Sequence, residues 1–121
     1  LCHIDANVDN FLIFPDHSAK LLDWDYAGIC DPLMDVSMCA IYSYYEEEQT
    51  EKLLELYLQR RPDDRERFIT YADAALGGFL WCLWAVYKAS LGEEFGEYTI
   101  IMYRYAKRYY KKLMKELPQF F

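Results

Sequence analysis

Hydrophobic and polar positions change period along this chain, from short apolar runs near the start to helical spacing over the remainder. Phe11-Leu12-Ile13-Phe14 and Ala19-Lys20-Leu21-Leu22 flank the polar stretch Pro15-Asp16-His17-Ser18, a pattern that predicts a β-hairpin with a four-residue turn. In the simplest register residue 14 faces residue 19, which places Asn10 opposite Asp23 at the open end. From Asp31 the apolar spacing becomes helical. Asp31 as N-cap and Pro32 as first helical residue predict a helix running through Val36, Cys39, Ala40 and Tyr42 to about Glu47. A second helix fits Thr50 to Arg61, with Leu53, Leu54, Tyr57 and Leu58 on one face. Pro62 breaks the chain, and Asp63 and Asp64 supply the acidic first turn of a long third helix to about Leu91. Its apolar positions include Phe68, Ile69, Ala72, Ala75, Leu76, Phe79, Leu80, Leu83, Trp84 and Tyr87, which read as a buried helix. Gly77-Gly78 inside it costs about 1 kcal/mol per Gly relative to Ala, so close packing or a bend is expected there. Gly92 to Gly96 read as a loop, and a last helix spans about Glu97 to Glu116, before Pro118. The expected fold class is mainly α with a small β-hairpin.

At 121 residues the chain fits one domain, with a hairpin part over 1–30 and a helical part over 31–121. Composition adds a surplus of rings: 18% of residues are aromatic, and twelve Tyr with three Trp exceed what a minimal core requires. Some of them are expected to line a site or cover apolar surface. No apolar run approaches the roughly 20 residues of a membrane span, and the N-terminus has no signal-peptide pattern, so a cytoplasmic location is expected. Cys2, Cys30, Cys39 and Cys82 form no C-x-x-C pair and are expected as buried thiols. A net charge of −7 argues against a nucleic-acid partner and favours a cationic one. Binding ATP on so acidic a domain requires metal ions between carboxylates and phosphates.

Chemistry enters with the first ten residues, LCHIDANVDN. His3, Asp5 and Asn10 have the order and spacing of a kinase catalytic loop, His-x-Asp-x-x-x-x-Asn. Transfer of a γ-phosphoryl group to an alcohol needs a carboxylate to accept the hydroxyl proton, and metal ions to neutralise phosphate oxygens. Asp5 suits the first task. Asn10 and Asp23 suit the second, because Mg²⁺ takes hard oxygen ligands and keeps several waters. His3 reads as an organiser of the loop rather than a proton carrier. Further along, Trp81 and Trp84 project from one side of a helix, and paired indoles can enclose a quaternary ammonium by cation–π attraction of about 0.5 to 2 kcal/mol each. By position alone a core role is the simpler reading of both.

The wording around these residues is more specific. LLDWDYAGICDPLMDVS resembles the Asp-Trp-Glu-Tyr-Ala-Gly and Asp-Pro-x-x-Asp-Leu stretch of choline and ethanolamine kinases and their aminoglycoside-phosphotransferase relatives. GFLWCLWAVYKASLGEEFGEYTIIMYRYAKRYYKKL is similar to the C-terminal part of choline kinases. The resemblance implies the C-terminal lobe of a protein-kinase-like fold. It also implies ATP as co-substrate, Mg²⁺ as cofactor, and choline or ethanolamine as phosphoryl acceptor. By the same resemblance Asp5 is the catalytic base, Asn10 and Asp23 bind magnesium, and Asp35 braces the catalytic loop from the following helix. It turns Trp81 and Trp84 toward a choline pocket, which Tyr26 and one or more of Tyr42, Tyr44 and Tyr45 would complete. Asp25 stands where the family commonly has Glu; it could add negative charge near a cation, while a supporting or solvated acid is the commoner reading of such a position. Ile4 departs from the small polar residue many relatives carry. No Gly-rich loop, strand Lys or partnering Glu occurs in the chain, so an N-terminal nucleotide lobe is expected to be missing from it. Three other readings remain: a non-catalytic quaternary-amine binding module, an orphan helical fragment, and a phosphotransferase for aminoglycosides or other amino alcohols. Exposed apolar surface would also allow homodimerisation.

Overall fold

The computed structural model describes residues 1–116. A single turn of 3-10 helix, Val8–Asn10, leads into a two-stranded antiparallel hairpin, β1 (Phe11–Ile13) and β2 (Ala19–Leu21). Four helices follow: α1 (Leu33–Tyr42), α2 (Glu47–Leu58), α3 (Asp64–Ser90) and α4 (Tyr98–Glu116). The mainly helical class with one small hairpin is therefore as expected.

The hairpin register differs by one residue from the expected one. Phe11 pairs with Leu21 and Ile13 with Ala19, and the Phe14 amide donates to the Ser18 carbonyl at 2.9 Å. The loop is thus the three residues Pro15, Asp16 and His17, closed by the His17 amide on the Phe14 carbonyl, with His17 at φ 65°. A turn followed by a left-handed residue is a favoured three-residue hairpin connection, and Asp16 reinforces it by accepting from the Ser18 amide and hydroxyl. In consequence Asn10 faces Leu22, whose amide donates to the Asn10 carbonyl at 2.8 Å, and Asp23 falls one residue beyond the paired ladder.

Helix boundaries move for capping reasons. Asp31 accepts from the Leu33 amide through its side chain, as an N-terminal cap should, but α1 stops at Tyr42 rather than near Glu47. Tyr44 then takes φ 55°, and Glu46 opens α2 through a reciprocal capping box with Gln49. The second helix therefore begins at Glu47, three residues earlier than its apolar spacing indicates, and ends at Leu58 before the left-handed Gln59. α3 starts as expected, capped by Asp63 and Glu66.

The largest correction concerns which face of α3 is buried. Thr70, Tyr71, Ala74, Ala75, Gly77, Gly78 and Ala85 are inside, whereas Leu76, Phe79, Leu80, Leu83 and Tyr87 are more than half exposed. The small side lets neighbouring elements close in. A Cβ on Gly78 would lie 2.9 Å from the Ala106 nitrogen and 3.0 Å from the Met102 oxygen of α4, and one on Gly77 would meet the Met38 sulfur at 2.7 Å. Close packing, one of the two expectations for this pair, is what the structure has. Around the contact Met38, Ile41, Tyr71, Ala74, Met102 and Tyr109 form the core, and Leu33, Val36 and Leu54 a second cluster under α2. Two buried hydroxyl contacts tie the helices together: the Ser37 hydroxyl reaches the Leu33 and Thr70 carbonyls, and the Thr50 and Tyr109 hydroxyls are 3.0 Å apart. By length and composition α3 also passes as a membrane-crossing helix, contrary to the expectation that no run approaches one. Its small face is that of a helix packed in a bundle.

Asp73, on α3, has a buried carboxylate oxygen with no hydrogen-bond partner. Burial first, and the nearby Asp31 carboxylate second, push its pKa up to about 6. A carboxylate whose pKa is raised on folding favours the folded state only while protonated, so stability falls as pH rises from about 4 through about 6. Asp73→Asn should remove that decline: thermal midpoints of variant and parent should diverge in the variant's favour between those pH values and agree in their slopes above them.

Candidate active site

The catalytic-loop sequence is held by its neighbours rather than by regular secondary structure. Cys2 and Gly28 exchange backbone hydrogen bonds of 2.8 and 3.0 Å, so the opening residues run antiparallel to the segment that follows Asp23. The Asp35 carboxylate, from the first turn of α1, accepts the His3 amide at 3.0 Å and the Ile4 amide at 2.7 Å. Ile4 has φ 68°, a left-handed conformation that is an outlier for a β-branched residue and costs of order 1–3 kcal/mol. Two charge-assisted bonds from one carboxylate offset that cost and fix the backbone just ahead of Asp5.

His3 is fully buried, and its Nε2 donates to the Leu22 carbonyl at 2.6 Å. The Trp24 ring meets it edge-on at 4.8 Å, and the Trp24 indole donates to the Leu21 carbonyl at 3.0 Å. His3 thereby ties the loop to the end of β2, where Asp23 takes φ 59°. Its other nitrogen, Nδ1, is buried without a partner. Asn10 lies across the loop: its Nδ2 donates to the Asp5 carbonyl at 3.0 Å and to Asp5 Oδ2 at 3.2 Å. With the amide nitrogen so committed, the Asn10 side-chain oxygen is the atom left for a cation. No cluster of three or more His, Cys, Asp or Glu side chains that could hold a metal occurs among the described residues.

Aromatic side chains line the approach to Asp5. Tyr42 lies 6.0 Å from Trp81, ring centre to ring centre, Tyr26 lies 6.1 Å from Trp81, and Trp81 lies 5.5 Å from Trp84. The row continues through Phe95, 4.9 Å from Trp84, to Tyr98. Burial raises the Tyr42 pKa, and the adjacent Asp5 carboxylate raises it further. Burial likewise pushes Tyr98 up to about 12, with Tyr44 and Asp5 adding to it. Both phenols therefore sense the Asp5 charge. Inside the row the Trp81 indole nitrogen is buried without a partner, and the Tyr42 hydroxyl is buried beside the Asp5 carboxylate. Lys88 Nζ already sits 5.7 Å from the Trp84 ring, tethered to Glu93 at 2.8 Å.

Not every candidate joins this group. Tyr45 faces the other way, lining a groove with Glu48, Lys52 and Leu53 of α2. Its carbonyl accepts the Tyr105 hydroxyl at 2.9 Å. Tyr44, just beyond α1, is exposed but close enough to Tyr98 to act on its phenol at the far end of the row, and Asp25 is exposed beside Tyr26. Phe95 and Tyr98 are the residues that reading the sequence missed. Both sit at a loop-to-helix junction where apolar periodicity is silent; the available signal was two rings three residues apart around Gly96.

Residues 1–71 match the sequence pattern of the Phosphotransferase enzyme family. The chain belongs to that family. Two LicA proteins of Haemophilus influenzae are each 30% identical to this family member over 97% of its length. It spans 44% of one and 35% of the other, so less than half of either relative is represented. Among solved structures, a choline/ethanolamine kinase family protein from Mesorhizobium loti superimposes with a TM-score of 0.74 at 26% identity, covering 93% of this chain and 38% of that one. Choline kinase LicA from Streptococcus pneumoniae gives a TM-score of 0.69 at 31% identity, covering 89% of this chain and 38% of that one. A LicA structure in complex with AMP gives 0.67 at 30% identity, over 94% and 38%. The phosphotransferase chain thus has the fold of one part of a choline-kinase-family molecule.

Proposed function

We propose that this chain is the catalytic C-terminal part of a choline-kinase-like enzyme that transfers the γ-phosphoryl group of ATP to the hydroxyl of choline or ethanolamine. The observation that carries the reading is an aromatic row, Tyr26, Tyr42, Trp81, Trp84 and Phe95, in which Tyr42 lies beside the carboxylate of Asp5. An ammonium head lodged among the rings directs its hydroxyl toward a proton acceptor.

In the proposed reaction the substrate oxygen attacks the γ-phosphorus as the bond to the β-bridging oxygen breaks and ADP leaves, and Asp5 takes the hydroxyl proton. Asn10 steadies Asp5 through its amide nitrogen. The free Asn10 oxygen and the Asp23 carboxylate are hard donors of the kind Mg²⁺ takes one or two of, alongside waters and phosphates, and they would hold the metal. When bound, the metal offsets phosphate charge that an acidic protein would otherwise repel. Asp35 and His3 act through position, holding Asp5 and Asp23 in place. Because the chain spans less than half of its relatives, turnover belongs to this chain joined to the part of the fold it lacks.

Replacing Trp84 by Ala in that complete enzyme should raise KM for choline about tenfold with little change in kcat, since the loss is ground-state cation–π binding of about 0.5 to 2 kcal/mol with some packing besides. An unchanged KM would remove Trp84 from the pocket. Comparing choline with ethanolamine in the same assay assigns the preferred acceptor.

A further inference from the structure

The row of rings that would receive a substrate ammonium already has an ammonium beside it. Lys88 stands one helical turn beyond Trp84 on α3, and its Nζ lies over the Trp84 ring, 5.7 Å from the ring centre. The side chain is only 29% exposed, so its stem runs along the protein while its head stays at the mouth of the row. There the ammonium donates to the Glu93 carboxylate at 2.8 Å. That bond raises the Lys88 pKa, and the Tyr87 and Tyr26 phenols add to the effect, so a second ring of the row, Tyr26, lies within reach of the charge.

Backbone contacts set Glu93 for this role. The loop after α3 folds back on the helix end, the Gly92 amide donating to the Ala89 carbonyl at 3.0 Å and the Glu93 amide to the Lys88 carbonyl at 3.1 Å. Two residues further on, Phe95 meets the Trp84 ring at 4.9 Å. One short loop thus brings to Trp84 both a wall of the row and the anchor of a resident cation. On the choline reading, on which this rests, we infer that Lys88 is an internal competitor for the acceptor site: its ammonium holds a Trp84 position that a substrate ammonium takes, and Glu93 neutralises it so that a cation can still enter. Two ammonium groups repel at such separations, and a ring face that attracts one is shared only at a cost to the other. Lys88 therefore weakens the site for cationic alcohols, and Glu93 limits the weakening.

The test is calorimetric titration of the complete enzyme with choline, across Lys88→Met, Lys88→Arg, Glu93→Gln and the double variant Lys88→Met with Glu93→Gln. Removing the charge in Lys88→Met should tighten choline about fivefold, the effect of a like charge near 6 Å in a half-wet site, whereas Lys88→Arg, which keeps the charge, should not tighten it. Glu93→Gln leaves the ammonium without its counter-charge and should weaken choline about fivefold. In the double variant that loss should disappear, because the charge responsible for it is gone. The competing explanation is that the pair only clasps the loop carrying Phe95. A clasp predicts the opposite sign for Lys88→Met, a weakening, and no recovery in the double variant; either result would overturn the proposal. So would choline affinity that is the same in the parent and in Lys88→Met. A parent enzyme that binds neither choline nor ethanolamine would bring down the choline reading itself, whereas choline bound equally with and without the Lys88 charge brings down the role of Lys88 alone.

Discussion

Asp5→Asn in the complete enzyme should lower kcat about 10³-fold while leaving choline affinity within a factor of about two, because a positioned general base contributes roughly 10² to 10⁴ in rate and nothing to ammonium binding. The substitution is nearly isosteric, and its amide oxygen can still accept the Asn10 Nδ2 hydrogen bond that Asp5 Oδ2 now accepts at 3.2 Å. The loop is held by backbone contacts to Asp35 that do not involve the Asp5 side chain, so its geometry should persist. Single-turnover measurement of phosphocholine formation separates the chemical step from product release. Calorimetric titration with choline checks binding. Retained turnover would refute the role of Asp5; lost choline binding would instead show that its charge holds the ammonium.

Gly78→Ala should destabilise the chain by about 1 to 2 kcal/mol even though Ala is the better helix former by roughly 1 kcal/mol. The new methyl would meet backbone atoms of α4, at 2.9 and 3.0 Å, and backbone cannot rotate out of the way. α3 and α4 would have to separate along their main contact, loosening Tyr71, Met102 and Tyr109 together. Gly77→Ala provides the comparison. Its nearest neighbour, the Met38 sulfur at 2.7 Å, sits on a flexible thioether, so the gain in helix propensity should nearly balance the local repacking. Urea unfolding of both variants measures the difference. A Gly78→Ala variant as stable as the parent would mean that the helices are not in backbone contact.

The site was legible in the sequence to the extent that it is local. Asp5 and Asn10 are five residues apart within one loop, and their hydrogen bond needs only that loop. Trp81 and Trp84 share a helix face by spacing alone, and they touch at 5.5 Å. Tyr26 and Tyr42 reach Trp81 only because α1 and the segment after β2 both pack against α3. Nothing in sequence separated Tyr42 from Tyr45. The helix end at Tyr42 and the left-handed Tyr44 did so, turning Tyr45 toward α2. In the hairpin, two short apolar runs around a polar stretch gave the strands, but the left-handed His17 set the loop length and with it the register. A conformation that costs His little was enough to move Asp23 one place beyond the ladder.

The sequence alone determined the four helices, the hairpin, the phosphotransferase-like loop and the paired indoles, since each rests on spacing within one element or on one continuous motif. Only the tertiary structure decided the buried face of α3, because that helix is apolar around most of its circumference and periodicity cannot rank its sides. Packing ranked them by size: the face carrying Gly77, Gly78 and Ala74 admits α1 and α4 to van der Waals distance, and the large side chains were left outside. That same choice lines Trp81 and Trp84 up with Tyr42, which adjoins Asp5, and with Phe95, and leaves Leu80 and Leu83 exposed.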